Sequence, residues 1–202
     1  YSIPEPVMPV GVDPFRRNIT IAGATYEIQL HDVLPLLGVD KVWADPRFEG
    51  GKGMKVAVVD TGMINLDGRF GDRIVARFTS VGPIADNAKH RHGTVVASEI
   101  GRNRIASEGE QIYQGPLYAC SFYEAMVLDS NGYGTTGGVK AGVSWAIDND
   151  VDVIGMSLGG NHDPALDEEI NRARSLGIAV TVAAGNNGVY PPACCGRMNC
   201  PA

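Results

Sequence analysis

No apolar run in this sequence approaches the roughly 18 residues that a helix needs to cross a bilayer, so no membrane-spanning helix is expected. There is no basic run either: the formal charge of −6 comes from carboxylates scattered over 202 residues. Without clustered lysine or arginine a nucleic-acid or anionic-membrane partner is not expected, because phosphates would go unneutralised. No stretch is low-complexity or visibly repetitive. An initiator methionine and a signal peptide are also lacking; the chain opens at Tyr1, which reads as processing from a longer precursor or as a cut piece.

What is present suits one domain with a substantial core, the apolar fraction being 44%. The 26 glycines and 12 prolines indicate many tight turns. Of the four cysteines, Cys194, Cys195 and Cys200 crowd into one short segment, and Cys120 stands apart. A small disulfide-pinned loop in an oxidising compartment is the first reading of the cluster. Adjacent Cys194 and Cys195 do not suit the geometry of a bond to each other. A metal knuckle lacks a second Cys/His pair at zinc-finger spacing, and free thiols remain open.

Residues 1–30 read as an N-terminal arm or pro-region remnant, and 31–202 as the main domain. Pro4, Pro6, Pro9 and Pro14 break up the start, and Asn18 to Ile28 suggests two short strands turning at Ala22-Gly23. Arg16-Arg17 reads as surface arginines or as a dibasic processing site. Beyond this arm, apolar strands alternate with helical patterns. Strands are expected at Lys55–Asp60, Ser121–Leu128, Val151–Leu158 and Ile178–Ala184, and helices at His92–Ile100 and Gly137–Asn149. A third helix begins after Asp163-Pro164, an N-cap with a first-turn proline, and closes at Gly177. Such alternation predicts an α/β fold with a mostly parallel sheet flanked by helices. In such sheets the working groups gather at the carboxyl ends of the strands.

Three polar motifs fall at those ends. Asp60-Thr61-Gly62 ends the first core strand, His90-Arg91-His92-Gly93-Thr94 opens a helix, and Ala184-Gly185-Asn186-Asn187-Gly188 follows the last strand. A carboxylate, an imidazole and a carboxamide placed together suit acyl transfer: the first fixes the imidazole tautomer, the second shuttles the proton, the third donates to the developing oxyanion. Singly each motif is weak. Asp-Thr-Gly also marks aspartic proteases, but those are all-β and need a second such aspartate; a strand-end aspartate, a helix-start histidine and a Gly-Asn-Asn-Gly turn are all common structural features.

Together and in this order, the motifs resemble the subtilisin-like serine protease (subtilase) family. Val56-Ala-Val-Val-Asp60-Thr-Gly62 is similar to its aspartate motif, and His92-Gly-Thr-Val-Val-Ala97 to its His-Gly-Thr-His-Val-Ala motif, 32 residues on. Gly155-Met-Ser157-Leu158-Gly159-Gly160 resembles the Asn-Met-Ser-Leu-Gly-Gly strand beside the S1 pocket, and Asn131-Gly132-Tyr133-Gly134 the opposite substrate edge. Ala184-Gly185-Asn186 matches the oxyanion asparagine. The resemblance implies a three-layer fold, with Asp60, His92 and Asn186 as catalytic groups. It also implies an extended peptide or protein substrate lying between Gly132–Gly134 and Ser157–Gly160, with Gly185 lining the cleft. No cofactor is assigned; calcium stays open, since Arg102–Leu117 does not obviously match the calcium loop of some relatives. Secretion agrees with both the family and the cysteine cluster.

The departures are specific. Val95 replaces the second histidine of the His-Gly-Thr motif, with little effect expected on the chemistry. The family's Gly-Thr-Ser-Met-Ala segment with the nucleophile is absent, so the C-terminal part of the fold is expected to be missing and the chain alone inactive. Ser157 belongs to the substrate strand, and Ser98, Ser107 and Ser121 sit in no nucleophile motif. The expectation is a serine endopeptidase whose serine comes from a companion segment after Ala202. A non-catalytic peptide-binding module is the alternative. A nucleotide-binding domain lacks the phosphate-cradling turn after its first strand.

Overall fold

A computed structural model describes residues 17–21, 24–28, 30–65, 68–83, 90–103 and 114–183. At the start, β1 (Arg17–Ile21) and β2 (Ala24–Ile28) pair antiparallel with Ile21 opposite Ala24. The hairpin expected between 18 and 28 is therefore present. The sequence pattern did not indicate the two short helices that follow, α1 (Leu30–Leu36) and α2 (Val39–Trp43). Leu34 of α1 is buried, and α2 reaches the domain through Trp43. Trp43 donates from Nε1 to the Pro116 carbonyl at 3.0 Å and meets the Tyr118 ring edge-on.

The main sheet has five parallel strands in the order β4-β5-β3-β6-β7: β3 (Lys55–Asp60), β4 (Ile74–Thr79), β5 (Ser121–Met126), β6 (Val153–Met156) and β7 (Ala179–Val182). Central β3 is buried on both faces, which is why it reads as an unbroken apolar run. Edge strand β4 alternates half-buried and exposed residues and carries Arg77, and the sequence reading did not indicate it. Strand β5 stops short of Leu128 because the amides of Val127 and Leu128 both turn to the Asp60 carbonyl, at 2.9 and 3.2 Å. Strand β6 is likewise shorter than the apolar run suggested, and Ala184 lies outside the described residues.

Helices α3 (His92–Gly101), α4 (Thr136–Asp148) and α5 (Pro164–Ser175) follow β4, β5 and β6. The last two cover one face: Val139, Val143 and Ile147 of α4 with Leu166 and Ile170 of α5 pack on Ala57, Val59, Ala125 and Ile154. Trp145 is packing, stacked on Phe78 and tilted against Tyr123. The other face carries α3, with Val56, Val58, Phe122 and Phe70 around Ala97. Both long helices start as their sequences indicate. Thr135 caps α4 by accepting from the Gly138 amide at 3.1 Å. Asp163 caps α5 by accepting from Ala165 and Leu166 at 2.9 and 3.0 Å. Layers of α3, sheet and α4–α5 make the expected three-layer α/β architecture.

Candidate active site

Because β3 is the middle strand, its carboxyl end is flanked by the ends of β5 and β6, and Asp60 sits there fully buried. Alternation along β3 directs Asp60, like Val56 and Val58, toward α3. The first residue of α3 is His92, whose Nδ1 lies 2.8 Å from Oδ1 and 3.0 Å from Oδ2 of Asp60. A carboxylate can only accept, so Nδ1 carries the proton and Nε2 presents its lone pair outward. The Thr61 amide donates to Asp60 Oδ1 at 2.6 Å and steadies the carboxylate further.

The residues around the pair explain the motif spelling. The helix docks so closely that a Cβ on Gly93 would run into the Gly62 carbonyl and come within 3.1 Å of Asp60 Oδ1. Only glycine fits. The Gly93 amide, one of the unpaired donors of a helix start, gives its hydrogen to Thr61 Oγ1 at 2.9 Å. The Thr94 hydroxyl in turn accepts from the Ile64 amide at 2.9 Å. Thus Asp60-Thr61-Gly62 and His92-Gly93-Thr94 lock together through both side chains and backbone. Val95, half-buried on α3, is not part of this lock.

Burial disfavours a charged imidazole at His92. The hydrogen bond that Nδ1 donates to Asp60, the negative charge of that carboxylate and a smaller contribution from Glu99 outweigh that, and hold the imidazole above its ordinary value. A side chain one-fifth exposed keeps Nε2 within reach of a substrate. His90, which the sequence reading gave no separate role, is buried beside it; its Nδ1 accepts from the His92 amide at 3.4 Å.

The two substrate-edge segments leave β5 and β6, on either side of β3. After β5, Asp129 organises the turn: its Oδ1 accepts from the amides of Asn131 at 2.8 Å and Tyr133 at 3.0 Å, and its own amide donates to the Tyr133 carbonyl at 2.8 Å. Gly132 takes a positive φ of 78° in that turn, Tyr133 is exposed, and Gly134 lies so close to the Val127 carbonyl that a Cβ would clash. After β6, Ser157, Gly159 and Gly160 are half-buried and Leu158 is buried. Asp129 was missed from sequence, although an aspartate two residues before Asn-Gly is a turn-forming signal.

Gly185 and Asn186 fall outside the described residues, as do Cys194, Cys195 and Cys200. The described cysteine, Cys120, is a buried free thiol, pushed up to about 11 chiefly by burial. Among the described residues no group of three or more His, Cys, Asp or Glu converges as a metal site, and no helix is long and apolar enough to cross a membrane.

A buried carboxylate that orients an imidazole at the carboxyl edge of a parallel sheet is an arrangement able to take up and release a proton. Residues 51–199 match the model of the "Subtilase family". The chain is 36% identical over 159 residues to "Serine protease AprX" of Bacillus subtilis (strain 168), covering 68% of this chain and 34% of that protein. It is 35% identical over 158 residues to "Subtilisin DY" of Bacillus licheniformis, covering 77% and 54%. A solved cold-adapted subtilisin-like serine proteinase superposes with a TM-score of 0.54 at 32% identity, over 69% of this chain and 48% of that one. The chain belongs to the subtilase family. It spans about a third to a half of the length of these curated relatives.

Proposed function

We propose that the protein is a serine endopeptidase that hydrolyses peptide bonds in extended substrates, with His92 as general base and acid and Asp60 as the group that orients it. The observation that carries this reading is the Nδ1 contact to a fully buried Asp60 at 2.8 Å, which leaves Nε2 as the proton acceptor. Asn186 would donate to the oxyanion; Asn186→Ala is expected to lower turnover about 10²–10³-fold, a range taken over from a subtilisin. Gly132, Tyr133 and Gly134 on one side, and Ser157, Leu158, Gly159 and Gly160 with Gly185 on the other, would pair with the substrate backbone. Among the described residues no serine hydroxyl bonds His92, and the match covers only part of each relative. In this reading the nucleophile is a serine carried by a companion segment, and the chain together with that segment is the active species. Residues 1–30 are read as an arm or pro-region remnant before the catalytic domain of 31–202. The cysteine cluster favours an extracellular setting.

A fluorophosphonate probe on the full-length protein tests the assignment. The expected result is one labelled serine outside the present sequence, with labelling lost in His92→Ala. Peptide binding without any labelling would instead favour the alternative, a binding module that keeps the cleft without the chemistry.

A further inference from the structure

Glu124 is a carboxylate where the sheet should hold a hydrocarbon. It lies in the middle of β5 opposite Val58, on the α3 face, and is fully buried. Burial pushes its carboxyl above the usual carboxylate range, against the pull of the Met63 amide and Arg77. Arg77 approaches from β4 with Nε 3.3 Å from Oε2, yet among the described residues neither oxygen finds a well-aligned hydrogen bond. A buried, poorly satisfied carboxylate is costly, and a sheet position does not keep one for packing.

Its neighbours suggest what it serves. The turn after Asp60 passes directly over it: the Met63 amide faces its carboxylate, and a Cβ on Gly62, whose φ is 98°, would come within 3.1 Å of Oε1. From the α3 side the same turn is held by Thr61 on Gly93 and by Ile64 on Thr94. Glu124 meets the same turn from the β5 side, beneath Gly62 and Met63. We infer that Glu124 is a positioning residue, seated beneath the Asp60–Met63 turn, that fixes the aim of Asp60 at His92. The inference rests on the reading of Asp60 as the group that orients His92.

The test uses the full-length protein with Glu124→Leu and Glu124→Gln. Leucine fills the space without an acceptor, a replacement that is often neutral or stabilising for a buried charge; glutamine keeps both shape and acceptor. The readouts are the deshielded Nδ1 proton of His92 in NMR spectra, and kcat separately from KM on a peptide substrate. In Glu124→Leu the proton signal should shift or broaden, and kcat should fall about ten- to a hundredfold at unchanged KM. Glu124→Gln should retain the signal and stay within about threefold of the parent, a loss well below that of a misaligned site. A folded Glu124→Leu protein with the parental signal and kcat would overturn the inference, as would a Glu124→Gln protein that loses both. Should the leucine variant not fold, Glu124→Ala carries the same expectations. A parent that shows the Nδ1 signal but cleaves no peptide sinks the proteolytic reading, and the spectra alone then decide the role of Glu124.

Discussion

The two faces of the parallel sheet are made from alternate residues of the same strands, and they differ in kind. Toward α4 and α5 the strands present Ala57, Val59, Ala125 and Ile154 to a layer of valine, leucine and isoleucine. Toward α3 the apolar residues Val56, Val58 and Phe122 give way near the strand ends to polar ones. The buried polar side chains of the described residues (Asp60, Thr61, His90, Thr94, Ser98 and Glu124) all belong to this second side. One face stores stability through contacts that any well-packed core would supply. The other gives some of that up to hold a carboxylate and an imidazole in one orientation.

The sharpest way to break this comparison is to change chemistry on the α3 face without changing shape. Asp60→Asn in the complete enzyme should lower turnover by about 10⁴, because the wrong imidazole tautomer is then favoured. The pH dependence should move with it. In the proposed role of general base His92 must be neutral, so activity is expected to be lost as pH falls through its folded value, which Asp60 holds above that of a free imidazole. Removing the carboxylate should shift the acid limb of the rate profile downward. Stability runs with the opposite sign. A raised folded value means that the pair stabilises the fold fully below the imidazole's unfolded value, and that this contribution is lost as pH rises through the folded one. Chemical denaturation of parent and Asp60→Asn across that window should converge on the alkaline side. Parallel curves would mean that Asp60 does not govern the imidazole.

On the opposite face the effects should be energetic and catalytically silent. Leu166 is fully buried between α5 and the sheet, and Leu166→Ala should cost about 2–5 kcal/mol in denaturant unfolding. Turnover measured well below the melting transition should be unchanged. A large fall in kcat would show that the faces are not independent. Gly93→Ala falls between the two cases. Its methyl group would meet the Gly62 carbonyl, so the start of α3 must move, costing about 1–3 kcal/mol as an overpacked site does. Because His92 moves with it, turnover should fall as well, which the leucine variant should not show.

How much of this was readable beforehand follows the same division. Strands β3 and β6 and helices α4 and α5 announce themselves through apolar runs, helical spacing and caps such as Asp163, since burial on both faces of a sheet leaves little ambiguity. Helices α1 and α2 did not: Pro35 lies inside α1, and Leu36 and Leu37 are exposed, so no stripe marks them. Strand β4 is defined by its pairing with β5 rather than by its own pattern. At the site, the pairing of Asp60 with His92 was legible because the two motifs stand in the order and spacing of the subtilase family, and the structure brings the side chains within 2.8 Å. Glu124 was not read, although its signal was present: the alternation of Ser121–Leu128 is imperfect at that residue. A sequence pattern registers such a break but not what it touches, and the turn above Glu124 comes from more than sixty positions earlier in the chain. Asp129 acts over two to four residues, and its role was within reach of local rules.

The smallest expected effect tests whether the α4–α5 face behaves as separable parts. Asp163 accepts from the amides of Ala165 and Leu166, and Asp163→Ala should remove about 1 kcal/mol of stability, the usual loss for an N-cap. His92 is on the other side of the sheet, so its titration and the turnover should be unaffected. The cap and the core leucine are neighbours, however: Leu166 supplies both an amide to Asp163 and a side chain to the core. Once Leu166→Ala has loosened the first turn of α5, the cap has less to hold. The double variant should therefore lose less than the sum of the singles, by more than the roughly 0.3–0.5 kcal/mol expected of independent sites. Strict additivity in equilibrium unfolding would show that the cap acts on the helix end alone, and that the layer beneath α5 is assembled without it.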